Sequence, residues 1–368
     1  MLEASEYAAL RAEQLARRER GDRKALGLGL ASYVEITAPI GHRAEYGAIE
    51  LQPDGRFRAR TGTTPYGQGH QTTWAMIIAD RLGVDLDRIE VIHGDTDVVP
   101  QGEGTGGSRS VQLAGSAMVD ASDKLIELAK ARASDLLEAA VQDITFDAGA
   151  ADGRASSGAF SVVGTPAVSV SWDDVAAAPP SAAEREAAEG DAVSDEVLLL
   201  EGISDFVQAD ASFPFGAHLA VVEVDLDTGK AELSRLIAID DAGVIINPAL
   251  AEGQRHGGLA AGAAQALMEE SAYDAQGNPI TSNFADYAVI SSMELPSFEL
   301  LSRQTPTPLN PLGAKGIGEA GTIGATPAVQ NAVIDALSPL GIRHIDICLL
   351  YTSPSPRDAT LSRMPSSA

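Results

Sequence analysis

Cysteine is all but missing: among 368 residues only Cys348 carries a thiol. That excludes an internal disulfide framework and any iron–sulfur or zinc site built from several cysteines of this chain. Redox centres of that kind, where needed, must lie elsewhere. Basic residues are scarce as well. Twenty-six Lys and Arg stand against 52 Asp and Glu, a formal charge of −26, which argues against a general nucleic-acid or anionic-membrane surface. No apolar run approaches the roughly 18 residues of a membrane span, and the opening MLEASEYAALRAEQLARRERGDRKALG is a charged amphipathic helix pattern without the apolar centre of a signal peptide. The expectation is an acidic cytoplasmic protein that neither binds nucleic acid nor enters a membrane. What is abundant is apolar residue, 45% of the chain, enough for a large core and two domains.

The pattern along the chain is mixed. GAIELQPDGRFRARTGTT alternates about a Pro-Asp-Gly turn and predicts a hairpin of Ala48–Leu51 with Phe57–Thr61. HQTTWAMIIADRLG puts Trp74, Ile77, Ile78 and Leu82 on one helical face with Gly83 as its stop; DRIEVIHGDT predicts a strand, and Val111 to Ala140 a long helix. Residues 141–200, rich in Ala, Asp, Gly and Ser, predict short strands at FSVVG and VSVSW and a mobile AAAPPSAAEREAAEGDAVSDE stretch. GAHLAVVEVDLDTGKAELSRLIAIDDAG predicts a second hairpin about Asp-Thr-Gly, and GGLAAGAAQALMEE a helix small enough to admit another backbone. TPAVQNAVIDAL predicts a buried helix with Thr326 as cap and Pro327 at the first helical position. The expected class is α+β: a first subdomain at 1–140, a variable strand-containing insertion at 141–200 and a related second subdomain at 201–347. LGIRHIDI predicts a strand leading to a further element, but CLLYTSPSPRDATLSRMPSSA, from Cys348 to Ala368, has no period and reads as a non-native tail. Both ends of the chain read as truncated.

Three glycine-bearing loops are candidates for chemistry. In TGTTPYGQGHQTT, Gly67 and Gly69 flank Gln68 just before a helix, where free N–H groups and the positive helix end suit an anion. The same residues also make an ordinary strand-to-helix turn, and this loop has neither the Walker nor the dinucleotide spacing. His70 is either a base or a capping donor. In GEGTGGSRSVQLAG, Thr105, Ser108, Arg109 and Ser110 offer donors to a phosphate or polar heterocycle; the alternative is a helix start capped by Ser108 or Ser110, with Arg109 solvated. In PLGAKGIGEAGT, Glu319 stands among glycines ahead of a buried helix. A carboxylate there is either paired structurally with Lys315 or held in a dry pocket as a general base.

Four stretches, PYGQGHQTT, GTGGSRS, DDAGVIINPALAEGQRHGG and AKGIGEAGTIGATPAVQNAVIDAL, occur in the order and at about the spacing of the molybdenum-binding large subunits of the xanthine oxidase and aldehyde oxidase family. The chain most resembles the aerobic carbon monoxide dehydrogenase type, over nearly all of residues 1–347. The resemblance implies a molybdopterin cofactor, as the cytosine dinucleotide, bearing molybdenum held by pterin sulfurs rather than by protein ligands. It implies one cofactor loop of Gly67, Gln68, Gly69 and His70, a second of Thr105, Gly106, Gly107, Ser108, Arg109 and Ser110, and Lys315, Gly316 and Gly318 beside Glu319, the general base. The implied reaction inserts water-derived oxygen into an aldehyde, an N-heterocycle or carbon monoxide, with FAD and 2Fe-2S clusters on partner subunits. The chain departs from the pattern in lacking the family's upstream Gly-Gly-Gly-Phe-Gly stretch and Cys-bearing loop, so it matches a C-terminal half whose other half is a further partner. Ala261 stands where many relatives have glutamine, and Ala242 replaces a frequent cysteine. The rival readings are a non-catalytic molybdopterin-binding or assembly protein and an unrelated anion-binding enzyme.

Overall fold

Two long alternating hairpins set the architecture. The computed structural model describes residues 1–38, 44–149, 158–181, 184 and 199–349; most of the stretch expected to be mobile, and the tail after Leu349, lie outside these residues. In chain order the elements are α1 (Tyr7–Arg20), β1 (Lys24–Val34), β2 (Glu45–Leu51), β3 (Phe57–Thr61), α2 (His70–Leu82), β4 (Ile89–His93), α3 (Ser110–Leu137), β5 (Ile144–Asp147), β6 (Ala159–Val162), β7 (Thr165–Ser171), α4 (Trp172–Ala177), β8 (Leu200–Phe206), β9 (Phe215–Asp225), β10 (Ala231–Asp241), α5 (Pro248–Leu267), β11 (Phe298–Arg303) and α6 (Ala320–Leu337). They form two compact units. The β1 unit comprises Met1–Ile36, Phe213–Pro306 and the residues from Lys315 on, and the β2 unit comprises Thr37–Ser212 and Thr307–Ala314.

In the β2 unit the sheet order is β4-β3-β2-β8. The expected hairpin runs antiparallel from Leu51↔Phe57 to Gly47↔Thr61, β8 lies antiparallel to β2, and β4 runs parallel to β3. The apolar face of α2 buries Trp74, Ile77, Ile78 and Leu82, and Gly83 ends the helix at φ 61°. Along α3, Leu113, Ala114, Ala117, Met118, Ala121 and Leu125 are buried. This helix lies so close to the sheet that a Cβ on Gly202 would strike the carbonyl of Ala121. The strands β5, β6 and β7 form a separate small sheet. Trp172, at the start of α4, fastens it by donating from Nε1 to the Leu82 carbonyl at 2.8 Å and meeting Phe57 and Phe160 edge-on.

In the β1 unit the order is β1-β9-β10-β11, with β1–β9 and β9–β10 antiparallel and β10–β11 parallel. Leu26, Leu28, Leu219, Val221 and Ile237 face α1 through Tyr7 and Leu10, whereas Ala220, Val222, Leu236 and Ala238 join the core made with α5 and α6. Opposite faces alternate along each strand, as its period of two requires. Gly27 and Gly29 let α6 rest on the β1 backbone, since a Cβ at either would run into the carbonyl of Ala332 or Ala328.

Each unit thus repeats one plan: a hairpin, a helix, a strand parallel to the second hairpin strand, and a second helix. The boundaries of the units are not those expected from the sequence. All eleven residues of β1 pair with β9, which draws residues 1–36 into the later unit because an edge strand finds its hydrogen bonds only on a neighbour. Residues 307–314 are drawn the other way. Two further expectations are corrected. The last helix starts at Ala320, with Pro327 inside it rather than at its first position. Thr326 is no cap; its hydroxyl donates to the carbonyls of Thr322 and of Gly262 on α5 at 3.2 and 3.1 Å. LGIRHIDI forms no strand, and Ile342 and Ile345 simply pack against the core.

The steric limit at β1 is testable. Gly29→Ala should destabilise the folded chain by about 3 kcal/mol or more, because the backbone of α6 cannot yield as a side chain would. Urea titration followed by circular dichroism measures it, and a loss below about 1 kcal/mol would show that the helix is free to lift.

Candidate functional site

Parallel pairing of β3 with β4, Thr61 opposite His93 at the end of the ladder, delivers two strand ends side by side. The carboxyl ends of parallel strands are where open sheets bind ligands. From these ends run the two glycine loops of the β2 unit, the first entering α2 and the second α3. They touch backbone to backbone: a Cβ on Gly62 would collide with Gly102, and one on Gly102 with Gly62. The Gly104 amide donates to the Gly62 carbonyl at 3.3 Å. Thr105 Oγ1 donates to the Thr64 carbonyl at 2.7 Å and sits 3.1 Å from Ser110 Oγ. The structure therefore brings together the two loops singled out by spacing. Left-handed backbone recurs at Gly67, Gly69, Gly104, Gly107 and Ser108, the last at φ 50° without the freedom of glycine. At Gly67 and Gly106 a Cβ would meet nothing within 4 Å, so neither glycine is required by protein packing.

The side chains differ from expectation in several places. Gln68 Oε1 accepts the Tyr66 amide of its own loop. His70 does not cap; Gly69 is the N-cap, and His70 is the first helical residue. Its ring is buried 5.1 Å from that of Trp74, and neither His70 Nδ1 nor Trp74 Nε1 has a partner among the described residues. Burial, with a smaller contribution from His93, pushes His70 down to about 4, so its imidazole is neutral at physiological pH. Neither serine caps α3; Arg109 is its N-cap residue. Arg109 is not solvated. It is 3% exposed, donates to Glu45 Oε2 at 2.6 Å, and pairs also with Glu103. Glu45 was not legible as a site residue: it opens a strand 64 positions away, and only the fold sets it beneath the loop. Burial raises Glu45 from its ordinary 4.5 to about 7, against the opposing pull of Arg109.

In the β1 unit the corresponding strand ends are those of β10 and β11, Asp241 opposite Arg303. The loop leaving β11 is bound back to β10. Lys315 donates from Nζ to Asp241 Oδ1 at 3.1 Å and to Thr305 Oγ1 at 2.9 Å, and its amide donates to the Ala242 carbonyl at 2.8 Å. Burial pushes Asp241 up, but donors from Thr305, Gly243 and Lys315 outweigh it and hold the carboxyl below its usual range. The partner that the structure gives the Lys315 ammonium is thus Asp241, which the sequence did not suggest. Gly316 is buried and Gly318 exposed. Glu319 is the N-cap residue of α6 and is exposed in this chain, not enclosed in a dry interior. The reason is the earlier helix start, which leaves Glu319 at a helix end rather than within a buried approach. Behind it, Gly324 lies against the buried ring of His218, whose Nε2 donates to Asp240 Oδ1 at 2.8 Å, while Arg255 Nε donates to Asp240 Oδ2 at 2.8 Å. Among the described residues no group of three or more His, Cys, Asp or Glu could hold a metal ion.

A family model described as a molybdopterin cofactor-binding domain matches residues 1–296. The carbon monoxide dehydrogenase large chain of Hydrogenophaga pseudoflava is 34% identical over 357 residues, 94% of this chain and 42% of that protein. The nicotine 6-hydroxylase large subunit of Paenarthrobacter nicotinovorans is 35% identical over 342 residues, covering 88% and 40%. The solved structure of reconstituted CO dehydrogenase from Oligotropha carboxidovorans superposes with a TM-score of 0.81 at 34% identity, over 95% of this chain and 44% of that one. The chain spans less than half the length of these relatives.

The raised Glu45 carboxyl makes the β2 unit pH-sensitive. Between pH 4.5 and 7 the folded state keeps a proton that the unfolded chain has released, so rising pH favours unfolding across that window, and this contribution is gone above about 7. Chemical denaturation at half-unit steps should show wild type losing stability from pH 5 to 7.5 relative to Glu45→Gln. Parallel curves would place the Glu45 proton elsewhere.

Proposed function

The chain belongs to the molybdopterin cofactor-binding domain family, and from that membership we propose that it is the cofactor-holding part of a molybdenum hydroxylase large subunit, with Glu319 as general base. The observation that carries the proposal is the meeting of two glycine loops at the carboxyl ends of β3 and β4. Their chemistry fits a large anionic cofactor. Open glycines at 67 and 106 admit a ligand to the backbone, amides ahead of α2 and α3 favour negative charge, and the buried His70 Nδ1 and Trp74 Nε1 have no partner among the described residues. Gly67 to His70 would hold one part of the cofactor and Thr105 to Ser110 another, through backbone and hydroxyls. Arg109 is spent on Glu45 and Glu103 and would shape the loop rather than grip a phosphate. The cytosine dinucleotide form of the cofactor is proposed from the family resemblance alone.

When bound, the cofactor supplies the molybdenum centre that accepts the electron pair from substrate. The protein would supply the proton acceptor: a Glu319 carboxylate oxygen would take up a proton released from water. Lys315, fixed on Asp241 and Thr305, holds the start of the segment that carries Glu319. The substrate class proposed is an electron-poor carbon in carbon monoxide, an aldehyde or an N-heterocycle, consistent with relatives named for carbon monoxide and nicotine. With Cys348 the only cysteine, onward electron transfer would fall to partner subunits carrying 2Fe-2S clusters and FAD. The exposure of Glu319 favours one second reading, a non-catalytic cofactor holder.

Glu319→Gln in the assembled enzyme separates these readings. It should retain molybdenum while kcat falls by roughly 10²–10⁴-fold, the usual worth of a positioned base. Turnover equal to wild type at equal molybdenum content would remove Glu319 from the chemistry and leave the holder.

A further inference from the structure

Beneath the second glycine loop the β2 unit contains a run of side-chain amides that the cofactor reading does not use. Asn310 Nδ2 donates to Gln208 Oε1 at 3.1 Å, Gln208 Nε2 to Gln112 Oε1 at 3.5 Å, and Gln112 Nε2 to the Ser108 carbonyl at 3.0 Å. All three steps point the same way, so each amide polarises the next. One end is Ser108, the non-glycine residue with left-handed backbone in the loop. The other end is the segment Thr307–Ala314, where Asn310 closes a turn by donating to the Ala314 carbonyl at 2.9 Å and accepting its amide at 3.2 Å. Lys315 is the next residue. The hub is Gln112, fully buried on α3; its Nε2 also donates to Thr37 Oγ1 at 3.0 Å, and its Oε1 accepts from Ser212 Oγ at 2.6 Å.

We infer that this relay couples the second glycine loop to the 307–314 segment, with Gln112 and Asn310 as positioning residues. The inference rests on residues 105–110 being a cofactor loop only for its consequence: a ligand that orders the loop also orders the 307–314 segment. Three features support it. A buried glutamine with every polar atom satisfied is fixed in place, whereas a methionine of the same shape would do for packing alone. The polar groups are neutral, so the link keeps its strength across the pH range in which Glu45 titrates. Leu312, in the same segment, fills the space over Gly115 of α3, where a Cβ would crowd its Cδ1 at 2.7 Å, so apolar packing and the relay hold the segment at adjacent points.

Amide hydrogen exchange on the full chain tests the coupling. Two reporters lie at the loop: the Arg109 amide, bonded to the Gly106 carbonyl, and the Ala38 amide, bonded to that of Gly107. Asn310 touches neither. Asn310→Ala should nevertheless speed exchange at both by at least about threefold while Met118, in the α3 core, keeps its rate. Gln112→Met should do the same, and the double variant should add no further acceleration, because both break one chain. Unchanged loop exchange in Asn310→Ala would overturn the inference, as would equal acceleration at Met118 or additive effects in the double variant. Asn310→Ala alone decides the matter should Gln112→Met fail to fold. Adding molybdopterin to wild type tests the cofactor reading separately: no protection at residues 106–110 would refute that reading and leave the exchange result standing.

Discussion

A strand that runs parallel to its neighbour delivers its carboxyl end to the same edge of the sheet, and the placement of every candidate residue in this chain follows from that pairing. Parallel neighbours need a crossover between them, supplied by α2 between β3 and β4 and by α5 between β10 and β11. The crossover puts the loop after the first strand beside the loop after the second. In the β2 unit these are the two glycine loops; in the β1 unit they are the turn holding Asp241 and the segment leading to Glu319. Both pairs are laced in the same manner. Thr105 reaches back to Thr64 in one unit, and Lys315 and Thr305 reach back to Asp241 in the other.

The two second helices show how one position can serve opposite charges. Arg109 and Glu319 are the N-cap residues of α3 and α6, and neither makes a side-chain cap. A helix start carries partial positive charge, so a guanidinium there is unfavourable and a carboxylate favourable. Arg109 accordingly comes with two carboxylates, Glu45 and Glu103, and is withdrawn from water. Glu319, the charge that a helix start favours, lies exposed. The helix beneath it is nonetheless tightly fixed. Gly258 and Gly262 on α5 admit Gly321 and Ala325 of α6 at close range, with Thr322 and Thr326 hydroxyls bonded to the α5 carbonyls. Glycine therefore limits motion here, because it allows backbones to meet.

Local structure was largely legible from the sequence because its signals are local. Period-two alternation located both hairpins, the turn residues Pro-Asp-Gly and Asp-Thr-Gly located their bends, and Trp74, Ile77, Ile78 and Leu82 marked the buried face of α2. The candidate loops were legible as glycine clusters next to helix starts. Three things were not. The transfer of β1 to the later unit depends on a ladder between distant segments, from Lys24↔Asp225 to Val34↔Phe215, which no window of sequence contains. The start of α6 was misplaced because Thr-Pro is a strong start signal; tertiary packing against α5 and β1 overrides it, and the hydroxyl of Thr326 is used across the helix pair instead. The partners of Arg109 and Lys315 were missed because charge pairing follows the fold: Glu45 and Asp241 lie 64 and 74 positions away.

The second glycine loop rests on two supports of different physical kind, and the difference has a use. Arg109 with Glu45 is a buried charged pair, in which Glu45 sits near the protonation step of physiological pH. Such a pair is costly to desolvate and fixes geometry only while both partners are charged or properly bonded. Gln112 is neutral, and its bonds to Ser108, Thr37 and Ser212 persist whatever the pH. Ser108 and Arg109 are adjacent, so the loop is pinned at one residue by hydrogen bonds that do not titrate and at the next by ion pairs, of which the one to Glu45 does. Protonation of Glu45 would then loosen the side chain of Arg109 while the left-handed turn at Ser108 held its backbone. A loop whose amides must present a constant surface to a ligand is better served by this division than by either support alone, because the backbone geometry is separated from the charge state beneath it.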